Sequence, residues 1–68
     1  MYVKIDLEQT AADEWLAETP DLPGVFAYGR SRKVAYRAAQ VMALRTLADL
    51  IEAGEARGKS VTVSLLEA

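Results

Sequence analysis

The sequence contains neither cysteine nor histidine among its 68 residues. Disulfide bonds are therefore excluded, and so are zinc sites built from cysteine or histidine ligands. A chain without histidine also lacks the commonest general base of nucleophilic catalysis, and a lysine or carboxylate would have to take that role. We predict no catalytic residue, no metal site and no cofactor, and hence a protein that is not an enzyme.

A strong charge of one sign and a long apolar run are also missing. The formal net charge is −2, so the chain lacks the positive surface that binding to a phosphate backbone requires. The first nine residues, MYVKIDLEQ, alternate between apolar and polar instead of forming a signal peptide. No apolar run approaches the ~20 residues that span a bilayer. These absences predict a cytoplasmic protein without membrane contact, and DNA binding by this chain alone is not expected.

The length of the chain allows one domain, residues 1–68, near the lower limit for a self-sufficient hydrophobic core. Domains of this size are often stabilised by disulfides, by metals or by oligomerisation. Because the first two are excluded or not expected here, the sequence predicts association with itself, as a homodimer or a higher homo-oligomer.

Four strands are predicted, at residues 2–8, 15–19, 25–29 and 60–66. In the first, Val3, Ile5 and Leu7 alternate with polar residues, which is typical of a strand with one buried face. Residues 10–14 are small and polar, and they predict a hairpin loop between the first two strands.

A turn and a helix start follow the second strand. Pro20 ends that strand because proline cannot donate a ladder hydrogen bond. Pro23 and Gly24 suit the two central positions of a type II turn, the second of which needs a positive φ. Gly29 ends the third strand, and Ser31 offers its hydroxyl as the N-cap of a helix.

The helix is predicted over residues 32–53, and Gly54 and Gly58 mark its end. A helix that returns the chain to a strand is a crossover, so the fourth strand should run parallel to the third. The predicted fold class is therefore α+β with the order βββ-α-β. The mostly antiparallel four-stranded sheet has the strand order 3-2-1-4, and one long helix lies on one of its faces.

The helix has two apolar sides. Its predicted core side, at 100° per residue, consists of Ala35, Tyr36, Ala39, Met42, Ala43, Thr46, Leu47 and Leu50. On the other side Val34, Val41 and Ala48 recur every seven residues, with Leu44 and Ile51 at the intervening step, which is the spacing of a helix–helix contact. We predict that these five residues form an oligomer or partner interface. The alternative is that they pack beneath loops at the flanks of the sheet.

A basic cluster surrounds the start of the helix: Arg30, Arg32, Lys33, Arg37 and Arg45. It is either a solvated helix face or a docking site for an acidic partner or RNA. In the third strand Phe26 and Tyr28 alternate with Val25 and Ala27, so one of the two pairs faces the open side of the sheet. If the aromatic pair does, it forms a stacking surface, and an RNA- or ligand-binding oligomeric module is the alternative function.

The run WLAETPDLPGVFAYGRSRKVAYRAA resembles the N-terminal domain of HicB-type antitoxins. That family shows an aromatic strand, PDLPG, a short strand, a glycine, a Ser/Thr cap and a helix that starts E-A-x-x-N-A. The matching residues are Trp15, Ala17, Glu18, Pro20, Asp21, Leu22, Pro23, Gly24, Gly29, Ser31, Ala35 and Ala39. The resemblance implies a reduced ribonuclease-H-like βββ-α-β fold. It also implies a protein-binding antitoxin that masks a small HicA-type toxin ribonuclease.

The chain departs from this family in three respects. The sequence stops after the predicted fourth strand, so we expect no DNA-binding segment and no repression of transcription by this chain alone. Val34 and Ala38 replace the usual glutamate and asparagine of the helix start, which makes that surface more apolar. The carboxylates of an active ribonuclease H are not recognisable, so nuclease activity is not expected. The motif identifies no individual residue that contacts the toxin.

Overall fold

The computed structural model describes residues 2–54 and 62–67. Its elements are β1 (Tyr2–Ala11), β2 (Glu14–Glu18), β3 (Phe26–Gly29), α1 (Arg32–Glu52) and β4 (Ser64–Glu67). The predicted α+β class and βββ-α-β order are confirmed. Gly58, which was predicted to mark the helix end, and residues 60–61 of the predicted fourth strand lie outside the described residues.

The four strands form one sheet in the order β3-β2-β1-β4, as predicted. Antiparallel pairing joins β1 to β2 and β2 to β3. The pair of β1 and β4 is parallel, with Tyr2 opposite Ser64. A parallel pair requires a crossover, and α1 provides it on one face of the sheet.

The hairpin between β1 and β2 is tighter than the sequence predicted. β1 continues to Ala11 and β2 begins at Glu14, so the predicted loop over residues 10–14 is largely strand. The register shifts between Gln9 and Ala11, as at a β-bulge. Thr10 donates its hydroxyl hydrogen to the main-chain carbonyl of Glu14 at 3.3 Å and to its carboxylate at 3.0 Å. Pairing with β2 therefore holds these polar residues in the sheet.

The core lies between the sheet and α1, and it has two neighbouring parts. The first consists of Val3, Leu22, Val25, Ala43 and Leu47, and the second of Ile5, Ala17, Ala27, Ala35 and Ala39. Val3 and Ile5 are fully buried, which agrees with the predicted alternation of β1. Alanines on the helix allow α1 to approach the sheet closely.

The buried row of α1 is narrower than predicted. Its members are spaced by four residues: Ala35, Ala39, Ala43 and Leu47. Tyr36, Thr46 and Leu50 are half-buried at its edges. The prediction for Met42 was wrong, because this side chain is 38% exposed. A row of small residues brings only one line of side chains onto the sheet, and Met42 lies outside that line.

Two tight turns connect β2 to β3. The amide of Val25 donates to the carbonyl of Leu22 at 3.2 Å, across Pro23 and Gly24. Gly24 has a φ of 81°, the positive value that a type II turn needs at its second central position. The hydroxyl of Thr19, which is 3% exposed, donates to the carbonyls of Leu22 at 3.3 Å and Val25 at 3.1 Å. This buried hydroxyl anchors the turns to the end of β2.

Side-chain and backbone contacts fix the position of α1. The Ser31 Oγ accepts a hydrogen bond from the amide of Val34 at 3.2 Å, so Ser31 is the N-cap. At Gly29, an added Cβ would lie 2.5 Å from the amide nitrogen of Ala35. β3 and the start of α1 therefore meet at Gly29, a point where only glycine fits. At the other end of the helix, Gly54 follows with a φ of 77°.

Candidate protein-binding surfaces

The side of α1 that points away from the sheet, here called the outer face, carries all five residues that were predicted as an interface. The exposed fractions are 53% for Val34, 42% for Val41, 50% for Leu44 and 44% for Ile51. Ala48 is also exposed. No part of the described chain covers these side chains, so the alternative in which they pack beneath loops does not hold for residues 2–54 and 62–67.

The first half of the outer face contains a shallow hollow of about 690 Å³. Its apolar lining is formed by Val34, Ala38, Val41 and Met42, and its basic lining by Lys33, Arg37 and Arg45. Within the described residues none of these three cations takes part in an ion pair. Met42 and Ala38, which were not predicted as interface residues, are one helical turn apart and extend the apolar surface sideways.

The charges on α1 change sign along the helix. Lys33, Arg37 and Arg45 occupy the first two thirds, and Asp49 and Glu52 the end. The first turn contains no acidic residue and the last turn no basic one. The helix macrodipole favours the reverse order, acids first and bases last. The distribution therefore does not serve the stability of the isolated helix.

The structure divides the predicted basic cluster among three places. Arg32 forms an ion pair with Glu67 of β4. Arg30 lines a second hollow, of about 460 Å³, together with Asp13, Glu14, Tyr28 and Gly29. Lys33, Arg37 and Arg45 lie on the outer face. The five cations are therefore found in three different settings and do not line one hollow.

The sheet face that points away from α1, here called the open face, presents the aromatic pair. Phe26 is 51% exposed and Tyr28 is 55% exposed, while Val25 and Ala27 are buried in the core. The ring centroids are 6.2 Å apart and the ring planes meet at 84°, an edge-to-face contact. Leu16 is the cross-strand neighbour of Tyr28.

Carboxylates lie beside these rings, on the two strands next to β3. Four acidic residues alternate with buried ones and so lie on the open face: Asp6, Glu8, Glu14 and Glu18. Asp6 is directly opposite Glu18, and Glu18 is directly opposite Phe26. Lys4 is the one cation of β1 on this face. Among the described residues no group of three or more acidic side chains is arranged to hold a metal ion. The open face therefore carries an aromatic pair at its β3 edge and carboxylates on β2 and β1.

The outer face and the open face lie on opposite sides of a molecule that is one sheet and one helix thick. Stacking by Phe26 and Tyr28 is consequently not available at the site where Lys33, Arg37 and Arg45 lie. The predicted RNA-binding alternative uses the open face together with the basic cluster. Of the basic cluster, Arg30 lines the second hollow together with Tyr28, whereas Lys33, Arg37 and Arg45 lie on the opposite side of the molecule.

A comparison of the chain with known protein families, with curated proteins and with solved structures finds no match. Within residues 2–54 and 62–67, no helix combines the length and the apolar character of a membrane-spanning segment.

Proposed function

We propose that this chain is a non-catalytic protein-binding domain, and that it acts as a HicB-like antitoxin that neutralises a small HicA-type toxin ribonuclease by direct contact in the cytoplasm. The exposure of the outer face carries the protein-binding part of this proposal: four large aliphatic side chains of one helix side are each 42–53% exposed. Continuous apolar surfaces on small proteins mark contact sites. The toxin as partner rests on the resemblance of residues 15–39 to HicB-type antitoxins.

The charge of the open face suits such a toxin. A ribonuclease binds a phosphate backbone and therefore needs a positive surface. The open face offers Asp6, Glu8, Glu14 and Glu18 beside exposed aromatic rings, and aromatic residues are enriched in protein interfaces. Complementary charge accelerates association and orients the partners. We therefore assign the toxin to the open face and self-association to the outer face.

Co-expression with a neighbouring small basic reading frame tests the antitoxin role. We expect the two products to co-purify and the growth defect caused by the toxin to be relieved. Glu18→Lys should lower the affinity for the toxin about tenfold, since it places a cation against a positive surface. Asp49→Lys, an equal charge reversal on α1, is the matched control and should change the affinity less than twofold. The affinities can be measured by isothermal titration calorimetry.

Two results would contradict these assignments. If Asp49→Lys weakens binding and Glu18→Lys does not, the toxin binds α1 and not the open face. If no neighbouring product binds the chain or loses toxicity in its presence, the antitoxin role is rejected and a protein-binding domain without that role remains.

One observation favours the alternative of an RNA-binding module, because the exposed Phe26–Tyr28 pair could stack on bases. The carboxylates on the neighbouring strands β2 and β1 oppose it, since they repel phosphates. We expect the isolated chain not to retain single-stranded RNA in a gel-shift assay at low salt. Retention that falls steeply with rising salt would support the RNA-binding module instead.

A further inference from the structure

We propose that the outer face of α1 binds the same face of a second copy of this chain, with the two helices antiparallel, to form a symmetric dimer. This inference deepens the self-association part of the proposed function and rests on it. It does not depend on the toxin, because the toxin is assigned to the opposite side of the molecule.

The apolar residues of the outer face are in register for an antiparallel pair. In heptad notation, position a is occupied by Val34, Val41 and Ala48, and position d by Arg37, Leu44 and Ile51. α1 spans Arg32–Glu52, so full overlap of two antiparallel helices centres the contact near residue 42. Layers of an a residue facing a d residue then follow, with Val41 opposite Leu44 and Val34 opposite Ile51 of the second copy. Four of the six layers are entirely apolar.

Arg37 determines the relative direction of the helices, because it is the one charged residue at an a or d position. A parallel pair would place Arg37 against Arg37 of the second copy, inside the seam. An antiparallel pair places it opposite Ala48, which is small enough to leave room for the guanidinium. Glu52 of the second copy then lies about one helical turn further along, within reach of a long side chain. Opposite charges replace like charges only in the antiparallel arrangement.

The order of charges along α1 supports the same arrangement. The helix begins without acids and ends without bases, which is unfavourable beside its own macrodipole. In an antiparallel pair the basic first half of each helix lies next to the acidic end of the other, and the two macrodipoles oppose each other. A charge order that is unfavourable in one copy is therefore favourable in two.

A second copy fits this surface better than an unrelated acidic partner. An acidic helix would match the basic hollow around Arg37 but would meet Asp49 and Glu52 with like charge. The partner must be acidic where this chain is basic and basic where it is acidic. The same chain in the reverse direction meets that requirement towards both ends of α1, where Lys33 is level with Glu52 and Arg37 lies next to Asp49, while Arg45 is level with the uncharged Gln40. Since the outer face is opposite the sheet, the product has four layers, sheet–helix–helix–sheet, and both open faces remain accessible.

The dimer should be moderately strong. The contact is limited to one face of a 21-residue helix. We therefore expect the buried area to be at the low end of the ~1,200–2,000 Å² that specific interfaces bury. Sedimentation equilibrium between 5 and 500 µM should show a mass that rises from 7.4 kDa towards twice that value. Leu44→Lys should abolish this rise. Leu66→Lys is the matched control, because Leu66 is similarly exposed, at 43% against 50%, but lies on edge strand β4.

Charge reversal tests the direction of the helices. Arg37→Glu and Glu52→Lys should each raise the dissociation constant about tenfold, because each places like charges together twice in a symmetric dimer. The double variant should regain the affinity of the unmodified chain. In a parallel dimer each residue faces its own equivalent, so neither single variant would change the dissociation constant appreciably.

Disulfide trapping provides a second measurement, and the absence of native cysteine makes it specific. The double variant Val34→Cys/Ile51→Cys should form a covalent dimer on mild oxidation. In a parallel dimer these two positions are about 25 Å apart along the axis, too far for an intermolecular bond between them. In that arrangement disulfides would join equivalent positions, as peptide mapping would show.

Three results would overturn the inference: a monomer at 500 µM, a dimer that Leu44→Lys leaves intact, or single charge reversals without effect. Circular dichroism of each variant would show that the fold is retained. If the dimer behaves as expected and no toxin binds, the antitoxin proposal fails alone. If the toxin binds and the chain is still monomeric at 500 µM, the dimer proposal fails alone.

Discussion

At Gly29, β3 passes so close to the first turn of α1 that a side chain has no room. An added Cβ would lie 2.5 Å from the amide nitrogen and 2.9 Å from the Cα of Ala35, and both are backbone atoms. We expect Gly29→Ala to lower the free energy of unfolding by about 3 kcal/mol, the upper part of the range for overpacking. Urea unfolding followed by circular dichroism measures this change.

Gly24 provides the control for that experiment, since it has a φ of 81° but open space around it. Gly24→Ala should cost about 1–2 kcal/mol through backbone strain, and Gly24→Asn should cost less, because asparagine tolerates positive φ. At Gly29 asparagine should be as unfavourable as alanine. A loss of less than about 1 kcal/mol for Gly29→Ala, or a clearly smaller loss for Gly29→Asn than for Gly29→Ala, would contradict the close approach.

The roles of single residues that could be predicted from the sequence depend on only a few adjacent residues. A proline–glycine pair favours a turn by its own dihedral angles, and Ser31 caps a helix through a contact three residues away. Thr19 differs because its buried hydroxyl donates to the carbonyls of Leu22 and Val25. That role requires the chain to fold back on itself. The sequence showed only a threonine before a proline.

The row of small residues on α1 sets the distance between the helix and the sheet. Ala39 is fully buried in this row. We expect Ala39→Leu to lower the free energy of unfolding by about 2–3 kcal/mol, because the added side chain forces the two layers apart. Ala48→Leu is the matched control: the position is exposed on the outer face, and its effect on unfolding of the monomer should stay within about 0.5 kcal/mol.

Thermal and urea unfolding at low concentration, where the dimer dissociates, can compare the two variants. A similar loss of stability in both would mean that α1 is equally packed on its two sides. A gain in stability from Ala39→Leu would reveal unfilled space between the helix and the sheet.

The limits of α1 could be predicted to within one residue, because a cap and a glycine mark them chemically. Limits of strands are less visible in a sequence. β1 runs three residues beyond its predicted end, since its ladder with β2 continues through polar residues. The outer face was predicted from its seven-residue spacing. The direction of Phe26 and Tyr28 could not be predicted, because a strand of four residues fits either alternation.

The dimer proposal has a consequence for the stability of the whole molecule. A species that associates only when folded becomes more stable at higher concentration. Raising the concentration from 5 to 500 µM should increase the Tm by about 5 °C, since about 1 kcal/mol shifts the Tm of a domain of this size by 4–8 °C. Differential scanning calorimetry at both concentrations measures the shift. For Leu44→Lys the Tm should be independent of concentration, and an equal shift in that variant would locate the association elsewhere.

The pairing of β1 with β4 also determines the order in which this protein can fold as it is synthesised. Tyr2 pairs with Ser64, so β1 leaves the ribosome about 60 residues before the strand that pairs with one of its edges. Until residues 64–67 have emerged, one edge of β1 has unpaired amides and carbonyls and can join a strand of another nascent chain. Contacts this distant in sequence also form slowly. Arg32, through its ion pair with Glu67, then adds a contact between α1 and the strand that closes this edge.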